Sequence, residues 1–183
     1  MINDNFLKNL YIARVAFQVI WAITLMQFGT GQPNLGGILL IVYPLWDVVC
    51  SIVELKYSWD ANLVSNNKSH ILNIGVGISV AIVMALTGLR DSQNMVVSFG
   101  GWAIISGLLQ LTAGIARRKA FKGQWAMILS GAQSAVAGTA FILGGLSGNI
   151  HPTRLAGYAL FGALYFMIAT VLLIRKKALN PSQ

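Results

Sequence analysis

The chain has 183 residues, of which 56% are apolar and only 10% charged, with a mean hydropathy of +0.68. A soluble domain carries about a quarter charged residues, so this composition reads as an integral membrane protein and excludes a nucleotide-binding, soluble catalytic or sizeable sensor domain. The net charge of +8 does not read as nucleic-acid binding, because the basic clusters are three to four residues long and no domain holds them.

Charged residues leave uncharged stretches at 15–46, 69–89, 92–116, 123–153 and 155–174. About 20 apolar residues cross a bilayer as a helix, and the pattern predicts six transmembrane helices at about 7–28, 35–55, 70–89, 94–115, 124–146 and 154–174. The expected fold is all-α, a single membrane bundle with no soluble domain. Met1–Lys8 lacks a basic leader and no Ala-x-Ala site follows, so the first span is expected to be retained. In it, Tyr11, Arg14, Gln18 and Trp21 recur at steps of three and four, which makes one polar stripe on a helix. Gly29-Thr30-Gly31-Gln32-Pro33-Asn34 reads as a tight turn.

The second span carries Asp47 and Glu54, seven residues apart and therefore on one face, with Cys50 and Ser51 between them. An ionisable group inside a span costs about 2.5 to 3.5 kcal/mol on insertion scales and usually faces the protein interior or a cavity. Counted from the same membrane side, Arg14 and Asp47 differ in depth by about 4 to 5 Å, within reach of a guanidinium. The lone Cys50 is assigned to packing. Ser106 and Gln110 in the fourth span, and Ser130, Gln133 and Ser134 in the fifth, lie in the halves nearest the same side. Arg14, Gln18, Asp47, Glu54, Gln110 and Gln133 are therefore the candidate intramembrane polar cluster. Two readings stand open. Either Arg14 snorkels to the headgroups and the glutamines bond neighbouring helices, or Asp47 and Glu54 carry protons or bind a solute in an inward-facing cavity.

In the fifth span Ser130, Ser134 and Gly138 repeat at four, beside Gly131, Ala135 and Thr139. Such small ridges let a helix approach closely, within the chain or in a homo-oligomer; Ala159-x-x-x-Ala163 in the sixth span is a second such patch. Gly148-Asn149-Ile150-His151-Pro152 joins the two. His70 and His151 fall at opposite membrane faces, and no paired His/Cys spacing, phosphate-cradling glycine loop or nucleophile elbow occurs, so neither a metal, a cofactor nor an enzymatic activity is expected. Trp125 and Tyr158 suit the interfacial belts, whereas Trp21, Trp46 and Trp102 read as core residues.

Sorting the cations by side places Lys8, Arg14, Lys56, Lys68, Arg117, Arg118, Lys119, Lys122, Arg175, Lys176 and Lys177 together, against Arg90 and Arg154 opposite. The positive-inside rule then predicts cytoplasmic termini and cytoplasmic connections at 56–69 and 116–123, with a second attraction to anionic lipid headgroups. The short outer turns, including Arg90-Asp91-Ser92-Gln93, group the spans into three consecutive hairpins. Trp46, Trp102 and Phe161 follow one another at 56 and 59 residues and Gly29, Gly88 and Gly144 at 59 and 56, the pattern of a triplicated hairpin.

The segment Gly100-Gly101-Trp102-Ala103-Ile104-Ile105-Ser106-Gly107-Leu108-Leu109-Gln110, with its echo Tyr43-Pro44-Leu45-Trp46-Asp47-Val48-Val49-Cys50-Ser51-Ile52, resembles the short repeat of the HdeD-like family. Those are six-helix bacterial inner-membrane proteins of unknown function, some tied to acid resistance. Pro44 and Glu54 depart from the repeat in the second span. The resemblance implies a non-enzymatic inner-membrane protein of the acid-stress type, acting by packing, partner binding or altered membrane permeability. The residues alone leave a second expectation, a small proton-linked transporter or channel using Asp47 and Glu54. The expected partners are the lipid bilayer, a small solute or proton, and a second copy of the chain if the small ridges face outward.

Overall fold

A computed structural model describes residues 4–29, 32–60, 67–87, 92–119 and 124–179. Gly88, Arg90, Asp91 and Lys122 lie outside them, as do Thr30, Gly31 and the side chains of Arg117, Lys176 and Lys177. The described residues form six long helices: α1 (Asp4–Phe28), α2 (Pro33–Asp60), α3 (Asn67–Thr87), α4 (Ser92–Arg117), α5 (Gln124–Leu146) and α6 (Leu155–Leu179), with one 3-10 turn at Pro152–Arg154. All six contain stretches long and apolar enough to cross a membrane. With a bilayer as solvent every backbone polar group must be satisfied internally, which helices do within themselves. Their outward surfaces are rich in exposed Ile, Leu, Val and Phe, such as Ile20, Leu86, Val136 and Leu143, a surface that suits lipid and not water.

The end of the bundle that carries Lys8, Lys56, Lys68, Arg118, Lys119 and Arg175 is called the basic face below; the turns at Gly29 and at Gly148–Arg154 lie at the opposite face. At that opposite face α5 closes with Gly148 at φ 69°, its N–H donating to the Gly145 carbonyl (3.1 Å) and the Asn149 N–H donating to the Gly144 carbonyl (3.0 Å). This is a Schellman cap, in which a residue without a Cβ takes the left-handed conformation and the last carbonyls find donors.

Loop order and packing order differ. The closest helix pairs are α4 with α5, then α1 with α6 and α2 with α3, whereas α1 and α2, joined by a short turn, touch much less. Glycines explain the first pair. A Cβ on Gly107 would stand 2.7 Å from the Gly131 carbonyl oxygen and one on Gly131 would stand 2.5 Å from that of Gly107; Gly100 and Gly138 meet in the same reciprocal way at 2.6 and 2.5 Å. Glycines seven apart return to nearly the same helix face, so Gly100, Gly107 and Gly114 on α4 run antiparallel to Gly138, Gly131 and Gln124 on α5. Of the two small ridges of α5, Ser130, Ser134, Gly138 and Gly131 are thus spent inside the chain while Thr139 is exposed; Ala159 and Ala163 are both buried as well.

The half of the bundle away from the basic face holds a dry core of Trp21, Leu25, Leu40, Tyr43, Met84, Met95, Phe99, Trp102, Phe141 and Leu155. A smaller cluster of Leu7, Tyr11, Met127, Phe166 and Leu173 joins α1, α5 and α6 nearer the basic face. The three aromatic positions that the sequence aligns do not share one environment: Trp102 is buried, Trp46 half-buried and Phe161 exposed.

Candidate functional site

Between these two clusters the helices frame a partly open cavity of about 110 Å³, lined by polar and apolar side chains together. A water needs only about 10–15 Å³ of such space, so several fit. The cavity starts near the basic face, where Glu54, Ser69, Ala113 and Gln124 line it, and ends at Tyr43, Trp46, Trp102 and Tyr158.

The stripe on α1 supplies Tyr11, Arg14 and Gln18, and α2 supplies Asp47, Ser51 and Glu54 at steps of four and three. The Arg14 guanidinium donates to Asp47 Oδ1 at 2.6 Å, and both side chains are largely buried. The sequence-predicted pairing across α1 and α2 is therefore present, with the guanidinium engaged by a carboxylate inside the bundle. Its guanidinium also lies 5.2 Å from the centre of the Phe166 ring, a favourable position for a cation over an aromatic face.

Asn73, an uncharged amide that the charge pattern does not mark, completes the site. Its Nδ2 donates to Asp47 Oδ2 (2.6 Å) and to Ser51 Oγ (2.9 Å), and its Oδ1 accepts from Ser106 Oγ (2.7 Å). One amide thus ties α2, α3 and α4 together and engages the second oxygen of Asp47. Closer to the basic face, His70 Nδ1 stands 3.5 Å from Glu54 Oε2, with both side chains nearly buried. The signal for both residues was available: His70 and Asn73 lie one turn apart in an otherwise apolar run.

Gln110 lines the cavity and reaches the Met127 carbonyl of α5 at 3.4 Å. Gln133 does not line it. The cavity-facing residues of α5 are Gln124, Met127, Ser130 and Ser134, and a residue one position before Ser134 is turned by about 100° from that face, which corrects its place in the predicted cluster. Tyr158, expected at an interfacial belt, instead packs at 5.8 Å against Phe99 and 5.7 Å against Phe141, its hydroxyl 3.0 Å from Ser134 Oγ. Cys50 is buried and free, off the cavity wall.

At the inner end Tyr43 is the hub. Its ring lies 4.6 Å from Trp21, 5.6 Å from Trp102 and 6.2 Å from Tyr158. Trp21 is satisfied, its Nε1 donating to the Leu39 carbonyl at 2.6 Å. Gln18 packs over Gly162, where a Cβ would meet its amide at 3.2 Å. Four polar atoms of cavity-lining residues are buried without a hydrogen-bond partner: Gln18 Oε1, Trp46 Nε1, Trp102 Nε1 and Gln124 Nε2.

Among the described residues no three His, Cys, Asp or Glu side chains gather as a metal site would need. Comparisons with protein-family models, with curated proteins and with solved structures found no match.

Proposed function

We propose that the chain is a multi-pass inner-membrane protein with cytoplasmic termini whose cavity admits a small polar solute or protons from the cytoplasm to mid-membrane, without covalent chemistry. The observation that carries this reading is the cavity itself, which reaches the Arg14–Asp47 pair with room for several waters. Polar groups that serve only to bond helices to one another need no such space. Orientation is supported by the cations gathered at the cavity's own end of the bundle.

A second reading, an acid-stress membrane protein that acts by packing, partner binding or altered permeability, draws on the HdeD-like repeat and on how fully Arg14, Asp47 and Asn73 satisfy one another. Cysteine accessibility separates them. In a Cys50→Ser background, Ser106→Cys is expected to react with a membrane-impermeant thiol reagent applied from the cytoplasmic side only. Protection from both sides would sink the solute-handling reading. In proteoliposomes the Asp47→Asn chain is expected to lose proton-coupled or solute flux at normal protein level, and unchanged flux would favour the packing reading.

A further inference from the structure

The unpartnered atoms at the inner end of the cavity specify a ligand chemistry. Trp46 Nε1 and Trp102 Nε1 are buried donors without acceptors, and Gln18 Oε1 is a buried acceptor without a donor. Gln18 and Trp102 are each more than nine-tenths buried, and all three residues line the same cavity. An indole N–H donates only, and an amide oxygen accepts only. The Gln18 amide N–H is taken by the Tyr43 oxygen, which leaves Oε1 as the unpartnered end of that amide. Leaving such groups bare in a low-dielectric interior is unfavourable, so the inner end can take one or two further acceptor lone pairs and one further donor hydrogen.

Charge narrows the class. Arg14 is engaged by Asp47, and Asp47 has both oxygens occupied, by Arg14 and by Asn73. A carboxylate ligand would meet Asp47 and Glu54 with no uncommitted cation among the described residues of the wall, where Arg14 is taken by Asp47 and His70 stands against Glu54, whereas a cation would find the nearest carboxylate already neutralised. Like charges in such surroundings repel strongly. An uncharged ligand is favoured, and the cavity volume limits it to a few non-hydrogen atoms.

We infer that the inner end of the cavity, at Gln18, Trp46 and Trp102, is a binding subsite for small uncharged molecules that carry a carbonyl oxygen beside an N–H or O–H, namely short amides and undissociated short carboxylic acids. The carbonyl accepts from the indole N–H groups and the N–H or O–H donates to Gln18 Oε1. This assignment rests on the solute-handling reading above and deepens it.

The test uses the full chain in nanodiscs, with ligand binding followed by saturation-transfer NMR for three probes of similar size: acetamide, acetone and acetate. At pH 7 acetamide is expected to bind saturably and about tenfold more tightly than acetone, which lacks the donor, with no binding of acetate. Lowering the pH to about 4 should bring in acetic acid while acetamide, run in parallel, reports any change in the protein itself. Binding of acetamide alone, of the acid alone, or of both supports the subsite and identifies its source. In Gln18→Leu the acetamide advantage over acetone should vanish while acetone binding stays, and in Trp102→Phe, which keeps the ring and removes the N–H, both should weaken about tenfold, the effect of one buried hydrogen bond. Unchanged melting and elution of Trp102→Phe show that the fold is kept; should Gln18→Leu not fold, the acetone comparison in the native chain stands in its place. Acetate binding as tightly as acetamide at pH 7, or no saturable binding of any probe with Ser106→Cys still labelled, overturns the subsite but leaves the accessible cavity. Loss of labelling overturns both.

Discussion

The seam between α4 and α5 and the seam between α1 and α2 solve the same problem in opposite ways. On α4 and α5, glycines seven residues apart let two backbones meet, with carbonyl oxygens where a Cβ would otherwise stand. On α1 and α2 large side chains stand between the helices: the Arg14–Asp47 pair at 2.6 Å, the Phe17–Trp46 stack at 4.7 Å and Trp21 against Tyr43 at 4.6 Å. The glycine seam leaves no internal space and serves as a wall. The side-chain seam holds its helices apart, and the cavity opens beside it. Helix spacing, set by residue size, therefore decides where internal space opens in this bundle.

The two seams should respond differently to substitution. The largest effect is expected on the side-chain seam. Asp47→Leu leaves a guanidinium buried without its carboxylate, which should lower unfolding stability by about 3 kcal/mol or more, measured by thermal or denaturant unfolding in detergent. The double variant Arg14→Leu/Asp47→Leu should recover most of that loss, and a double variant no more stable than the single one would mean the pair is not what spans this seam. On the glycine seam, Gly131→Val would place side-chain atoms on the Gly107 backbone and should cost about 1–3 kcal/mol by overpacking. If it melts like the native chain, the close approach of α4 and α5 is wrong. Asn73→Leu strips partners from Asp47, Ser51 and Ser106 and should cost about 1–2 kcal/mol, with the labelling rate of Ser106→Cys rising as that hydroxyl's neighbourhood loosens. The smallest change is expected from Ser134→Ala, which removes one hydroxyl contact to Tyr158. Interhelical hydrogen bonds in membranes average about 0.6 kcal/mol, so a loss above twice that would assign the Ser134–Tyr158 contact a larger part in holding α5 to α6.

The contrast between polar and apolar residues made much of this legible. Six spans stand out because each is a long, predominantly apolar run, and Arg14 and Asp47 stand out because they lie deeper in those runs than other charges such as Lys8 and Glu54; matching their depths is enough to pair them. Asn73 was harder to see because an uncharged amide is common as interhelical glue, and its importance comes from α3 facing both α2 and α4, which periodicity in one segment does not reveal. Gln133 failed for the complementary reason: its depth is right, but its direction depends on how α5 is rotated against α4. The glycine seam is visible only in register. Gly131 and Gly138 belong as much to four-residue ridges as to a seven-residue one, and Gly107 and Gly100 are what select between them. Grouping helices by their short outer turns misses the packing order for a related reason, since a turn fixes which ends are near and leaves side-chain size to decide how closely the shafts approach.

The aromatic floor formed by Tyr43, Phe99, Trp102, Phe141 and Tyr158 has an electrical consequence. Once hydrated, the cavity would be far more polarisable than the apolar half beyond that floor, so a membrane voltage would fall mainly across the rings and the apolar core above them. The field there is then steeper than across a bilayer of full thickness. One elementary charge carried through the whole drop exchanges about 2.3 kcal/mol per 100 mV, and a proton leaving the Asp47 neighbourhood for the far face would traverse most of it within half the thickness of the bundle.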